Sequence, residues 1–292
     1  MGTSVSFVGA GRVGSSLARS LRTRGFKIGA LVCRTLARAE EAALAVGGGG
    51  ASTELGDAAA ADIVFLTVPD SAIERVCMDL AARGMWRGEH TVVHCSGALS
   101  LGVLQAAADQ GAAVLSLHPM QSVADPISGA ASMVGSFFGV EGCQRGLAVG
   151  EMLVHALGGR ALRIAPGGKA AYHAAAVMVS NYLVALMDMG CDLLVQAGLP
   201  RTEASAALLP LASGTLANIL NQGIPAALTG PIERGDATTV ARHLHVLGEH
   251  GELREIYSLL GGRLVQLATQ KGSASQEDLA AIAALLGRET NL

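Results

Sequence analysis

The feature that most constrains this chain is the hexapeptide Gly9-Ala10-Gly11-Arg12-Val13-Gly14. It follows a short apolar run, 4–8, and opens a helix-like segment, 13–24. Glycines at that spacing between a strand and a helix meet three steric needs. The first permits a tight turn, the second lets a pyrophosphate approach the backbone, and the third lets the helix close on the strand. The helix N-terminus adds free N–H groups and the positive end of its dipole. Gly9, Gly11, Arg12, Val13 and Gly14 are therefore the expected dinucleotide-phosphate site. In a chain with 38 glycines the motif alone says little; its position between first strand and first helix gives it weight.

The pattern continues. Apolar runs at 4–8, 27–33, 62–68, 91–95, 113–118 and 133–140 alternate with Ala- and Leu-rich helical segments at 13–24, 36–46, 71–83 and 99–110. Alternation of this kind predicts an α/β fold, a doubly wound, mainly parallel Rossmann sheet with helices on both faces. Right-handed crossovers are expected to place every strand's C-terminal end on one edge, where such sheets bind ligands. From about Gly167 the strand-like runs stop, and helices are expected at 169–197, 202–221, 236–250, 252–270 and 276–286. The expected division is a dinucleotide-binding domain over 1–165 and an all-α domain over 166–292.

The end of the second strand reports on the cofactor. Counting 20 residues from Gly14 reaches Arg34, within Val32-Cys33-Arg34-Thr35 and followed by Arg38, where NAD sites usually carry an acid. A carboxylate repels a ribose 2′-phosphate, whereas a guanidinium binds it by charge-assisted hydrogen bonds. Arg34, Thr35 and Arg38 thus predict NADP(H). Thr67, Val68 and Pro69, ending the 62–68 run, are expected to line the ribose and nicotinamide side of the cleft.

Three polar clusters fall where the sheet's ligand edge is expected. They are His94-Cys95-Ser96-Gly97, His118-Pro119-Met120-Gln121-Ser122, and Lys169 with Tyr172 and His173 at the head of a long helix. Lysine is scarce: 21 basic residues include three lysines, Lys27, Lys169 and Lys271, leaving 18 arginines. A lysine kept in so Arg-rich a chain has better odds of a specific task. Lys169 and His173 share a helix face, continued by Ala176 and Ser180 and flanked by Asn181. Ala, Val and Met between them predict a mostly buried helix whose polar stripe lines a cavity or finds partners. Hydride transfer to a carbonyl leaves charge on oxygen, which calls for a proton donor and fixed hydrogen-bond donors. Lys169 is the expected acid. Asn181 is expected to orient the substrate oxygen or Lys169, and Ser96 and His118 to hold a substrate carboxylate.

Composition removes other classes. Half the residues are hydrophobic and the net charge is −3, so no basic surplus exists to bind nucleic acid. The longest apolar stretch, 174–187, is broken by Ser180 and Asn181, and no membrane association is expected. Met1-Gly2 with Ser6 formally fits a myristoylation pattern, but 5–8 reads as a core strand. Five scattered cysteines without a CxxC, and no signal-peptide pattern, predict a cytoplasmic protein with reduced thiols. No metal site is expected. His243, His245 and His250 cluster without an acid or Cys at ligand spacing and read as a solvated helix face. The connector Thr229-Gly230-Pro231-Ile232-Glu233-Arg234-Gly235-Asp236 reads as a turn with Asp236 as N-cap, or as a segment closing over a cleft.

On the glycine loop, His94-Cys95-Ser96-Gly97, His118-Pro119-Met120, Lys169 with Tyr172-His173, Ser180-Asn181-Tyr182, the 229–236 connector and His243, the chain resembles a family of Rossmann-like oxidoreductases. Their C-terminal half is a domain of unknown function. They lie in the superfamily of 6-phosphogluconate dehydrogenase, β-hydroxyacid dehydrogenases, ketopantoate reductase and pyrroline-5-carboxylate reductase. The resemblance spans nearly the whole chain. It implies an NADP-binding domain, a helical domain that forms a homodimer, and an active site between them. Lys169 falls at the catalytic lysine of β-hydroxyacid dehydrogenases, which carry Asn four residues later; here that residue is His173, and the nearest asparagine is Asn181. His118-Pro119-Met120 is similar to the histidine–proline motif of prephenate dehydrogenases, in which the His contacts substrate. The leading expectation is an enzyme reducing a small, carboxylate-bearing 2-oxo acid of the ketopantoate kind. The alternatives are an imine reductase like pyrroline-5-carboxylate reductase, a 3-hydroxy-acid or prephenate-like dehydrogenase, and a non-catalytic NADP sensor.

Overall fold

A computed structural model of the chain describes residues 2–248 and 251–287. Met1 of the myristoylation pattern and His250 of the histidine cluster lie outside these residues. The chain divides into two compact units, Met1–Asn181 and Tyr182–Leu292.

In the first unit the order is β1 (Ser4–Val8), α1 (Arg12–Thr23), β2 (Lys27–Val32), α2 (Leu36–Val46), β3 (Gly50–Ser52), β4 (Ile63–Leu66), α3 (Asp70–Ala82), β5 (Thr91–His94), α4 (Gln105–Ala108), β6 (Ala113–Pro119), α5 (Pro126–Ser132), β7 (Phe137–Gly142), α6 (Gln144–Ala156) and β8 (Arg160–Arg163). The helix α7 (Lys169–Gln196) then begins. One eight-stranded sheet results, ordered β3-β2-β1-β4-β5-β6-β7-β8. The chain winds outward from β1 through β2 to β3, then restarts at β4 on the other side of β1. The crevice at that reversal is where doubly wound sheets take ligands.

The strands from β1 to β6 are parallel and finish on one edge as expected. The expectation fails for the last two: β7 runs antiparallel to β6, and β8 follows β7. The physical reason is the connection. Asp125 caps α5, accepting hydrogen bonds from the Ile127 and Ser128 N–H groups, and a turn at Gly135 then sends the chain straight back beside β6.

Side chains alternate across this sheet. Phe7, Phe65, Val93, Leu115, Leu117 and Val140 bury on one face, with the Phe7 and Phe65 rings stacked 4.8 Å apart. Val8, Val32, Val64, Leu66, Val92 and Val114 bury on the other, under Ile73, Cys77 and Leu80 of α3. Along one row of this second face the register runs Val32, Val8, Leu66, His94, Ser116, Glu141. The row is apolar beneath α3 and polar beyond it.

The second unit contains the rest of α7 and α8 (Arg201–Gln222), α9 (Ile224–Ala227), α10 (Ala237–Val246), α11 (Glu252–Lys271) and α12 (Gln276–Leu285). Val240, Leu244, Val265, Leu279 and Ile282 join the last three helices in a small core. Asp236 caps α10, accepting from the Thr239 N–H and hydroxyl. The connector before it is tied to α11 by Lys271, which bonds the Leu228 carbonyl and the Glu233 carboxylate.

The expected burial of α7 is not observed. Within the chain Lys169 and Cys191 are its buried residues, while Met178, Val179, Tyr182 and Val184 are exposed. Apolar residues predicted burial because no soluble single helix should show them to water; here their cover is not supplied by the chain's own core. By length and mean hydropathy, 1.5 over an 18-residue window, α7 is also long and apolar enough to cross a bilayer.

Candidate functional site

Gly9 adopts φ +92°, in the left-handed region, and a Cβ there would lie 2.6 Å from the Val68 amide nitrogen. At Gly14 a Cβ would meet the Thr67 hydroxyl at 2.6 Å. Thr67 Oγ1 in turn donates to the Gly9 carbonyl at 2.9 Å, so the β4 end clamps the glycine loop. Gly11, the N-cap of α1, differs: a Cβ there would touch nothing within 4 Å. The open side of the loop therefore lies over the first turn of α1, which has no acid to compensate its N–H groups. That arrangement fits a dinucleotide diphosphate. Arg34, Thr35 and Arg38 are exposed at the β2 end and the start of α2, whose first turn also lacks an acid. Two guanidiniums beside a free helix N-terminus fit a ribose 2′-phosphate. Val68 and Pro69 lead from β4 into α3 at the same edge.

The second cluster gathers around Lys169. Its side chain is 3% exposed and donates to the Ser96 carbonyl at 2.7 Å and the Ser116 hydroxyl at 2.9 Å. Ser96 is itself fixed. Its hydroxyl donates to Asp70 at 2.6 Å and accepts from the Ala98 and Leu99 N–H groups. Three residues along α7, Tyr172 lies over Gly139 of β7, where a Cβ would be 2.5 Å from the ring. Its hydroxyl meets His118 Nδ1 at 2.9 Å. His173 stands edge-on to His118, ring centres 5.9 Å apart, and a Cβ on Gly97 would collide with His173 Nδ1 and lie 2.9 Å from His118 Nε2. Two imidazoles thus converge on the bare backbone of Gly97. In the tautomer whose Nδ1 accepts from Tyr172, His118 Nε2 carries the ring proton toward that point; the Tyr172 hydroxyl also lies 3.4 Å from the His118 carbonyl.

The electrostatics follow from burial. Desolvation, then the Lys169 charge, pushes His118 and His94 down to about 4, so both are neutral at pH 7. Burial lowers Lys169 as well, opposed chiefly by Glu141. Burial raises the Cys95 thiol to about 12, leaving it un-ionised. No group of three metal-ligating side chains occurs among the described residues. His243 is exposed and pairs with Tyr257 at 2.8 Å.

Of the expected residues, Lys169, His173, His118 and Ser96 come together. Asn181 does not join them: twelve residues along the helix places it about 18 Å from Lys169, and it is exposed. Sequence reasoning passed over Asp70, Ser116, Gly139 and Glu141. For Ser116 a signal existed, since Val114, Ser116 and His118 alternate with Leu115 and Leu117, putting both polar groups on one face.

A Rossmann-like domain model matches residues 2–119, and the model of a domain of unknown function, DUF2520, matches residues 136–264. No curated protein matches the sequence. Among solved structures, protein TM1727 from Thermotoga maritima is 29% identical, with TM-score 0.72, covering 92% of this chain and 99% of its own. BF3122 from Bacteroides fragilis, a candidate NADP oxidoreductase, is 23% identical with TM-score 0.72, covering 90% of this chain and 98% of its own. A 1-pyrroline-5-carboxylate reductase from Streptococcus pyogenes is 16% identical with TM-score 0.63, covering 93% and 99%.

Proposed function

We propose that this chain, which joins a Rossmann-like domain to a DUF2520 domain, is an NADP(H)-dependent oxidoreductase reducing the carbonyl of a small 2-oxo acid of the ketopantoate kind. The observation that carries this reading is Lys169: a buried amine, held by two acceptors on the sheet face near the neutral imidazoles of His94 and His118. The glycine loop and α1 hold the diphosphate, and Arg34 and Arg38 the 2′-phosphate. The cofactor, when bound, supplies a hydride to an electrophilic carbon. Lys169 donates the proton that the resulting oxyanion needs. His118 and His173 hold the substrate above Gly97 through ring N–H groups. Ser96 serves through its carbonyl, because its hydroxyl proton is given to Asp70.

The exposed apolar faces of α7 and α8 are read as a homodimer surface. A lipid-facing role fits them less well, because Ser180, Asn181, Asp188 and Asp192 fall within the α7 span and its first turn is anchored on the sheet. The five free thiols fit a reducing, cytoplasmic setting. The likeness to the Streptococcus pyogenes reductase favours a second reading, imine reduction, which needs no lysine acid. Following NADPH oxidation by absorbance against a panel of 2-oxo acids and cyclic imines separates the two. Oxidation with a 2-oxo acid is expected. Turnover on imines alone would overturn the carbonyl reading, and none on the whole panel would contradict reduction itself.

A further inference from the structure

Glu141 is half-buried, with one carboxylate oxygen turned inside, and the proposed reduction gives it no role. It stands opposite Ser116 in the antiparallel β6–β7 ladder, so the two side chains share a sheet face. Ser116 is the residue whose hydroxyl receives Lys169. The Glu141 Oε2 atom is buried, yet it accepts no hydrogen bond and forms no ion pair among the described residues. A carboxylate so placed is costly unless a nearby cation compensates it. The cation on that face is Lys169. The other groups around Lys169 are Asp70 at the head of α3, His94 and Cys95 at the end of β5, His118 on β6, and Tyr172 and His173 on α7. His94 and His118 are neutral and the Cys95 thiol is protonated, so these three contribute no charge; Asp70, which accepts from the Ser96 hydroxyl, is a smaller acidic influence on Lys169 than Glu141.

We infer that Glu141 is a positioning residue for Lys169: its carboxylate keeps the buried amine in the charged, proton-bearing form that sits between the Ser96 carbonyl and the Ser116 hydroxyl. The importance of this for turnover rests on the proposed role of Lys169; the pairing itself does not. Burial alone drives Lys169 toward the neutral amine, and Glu141 is the largest opposing influence.

The scarcity of lysine makes the test direct. Protein labelled with 15N-lysine has three side-chain signals, and Lys169→Arg identifies one by its loss. Titrating that signal needs no substrate. In Glu141→Gln the Lys169 midpoint is expected to fall by roughly one pH unit or more. An unchanged midpoint in a variant that still binds NADPH would overturn the inference. Should Glu141→Gln not fold, Glu141→Asp keeps the test: drawing the charge back must lower the midpoint by roughly a few tenths of a unit, and no change there is equally contrary. The alkaline limb of the pH–rate profile then separates the two ideas. A limb that shifts with the spectroscopic midpoint supports both. A midpoint that moves while the limb stays supports the Glu141 pairing and removes Lys169 as donor.

Discussion

Lys169, His94 and His118 show how burial sets chemistry one side chain at a time. His94 is fully buried, and its Nδ1 accepts from the Ser96 N–H. His118 is held by Tyr172. Both titrate near 4 in the fold, against about 6.5 for a free imidazole. Between those values the unfolded chain takes up protons that the folded chain refuses, so stability rises with pH across that window. It is complete above about pH 6.5 and is lost as pH falls toward 4. Denaturant unfolding at pH 7 and at pH 4.5 is expected to show a loss of up to roughly 5 kcal/mol from the two histidines together, in addition to any carboxylate contribution. Replacing His94 by Asn should shrink that difference. Lys169, His118 and Ser96 were legible because polar residues at strand ends and a rare lysine stand out in an apolar, Arg-rich chain. Glu141 was not, since a glutamate before a glycine reads as solvent-exposed until the register sets it opposite Ser116. Asn181 was misplaced for a different reason: sharing a helix face does not bring two side chains together, and twelve residues at about 1.5 Å of rise already separate it from Lys169 by about 18 Å.

Elements were legible where local signals agreed. The glycine loop, β1, α1 and α2 appear within a residue of where periodicity put them, because strand alternation, turn glycines and helix pattern all point one way. Helix α6 escaped detection because Gly146 and Gly150 resemble breakers. Their lack of a side chain instead lets α6 close on β6: a Cβ on Gly150 would lie 3.0 Å from Leu115. β3 and β8 are three and four residues long, too short for a pattern, and β8 is exposed along its length. The β2–α2 junction carries its own prediction. Replacing Arg34 and Arg38 together by Glu sets two carboxylates at the α2 N-terminus in place of the guanidiniums. Titration by cofactor fluorescence should show NADPH affinity falling by roughly 10-fold or more while NADH is far less affected. Equal losses for both cofactors would mean these arginines do not face the ribose.

At the scale of the molecule, the fold class was legible throughout: a doubly wound sheet, then helices. What the sequence could not show was how the apolar residues of the helical part are covered. Leu220 is 85% exposed and Val179 is 75% exposed, as are Leu209, Leu211 and Leu216 in part. These residues make up the proposed homodimer face. Sedimentation at micromolar concentration is expected to give a dimer, and Leu216→Glu with Leu220→Glu to give monomers. A wild-type monomer across the concentration range would leave those faces without their proposed cover.

Lys169 as proton donor in an NADP(H)-dependent reduction is the central proposal. The direct measurement is NADPH oxidation by the wild type and by Lys169→Met on the best substrate of the panel, with NADPH affinity measured in parallel. The account predicts a fall in kcat of about 10²- to 10⁴-fold, with cofactor affinity unchanged within about twofold because the phosphate-binding loop is untouched. A variant that keeps full turnover while its Lys169 ammonium is gone would contradict it.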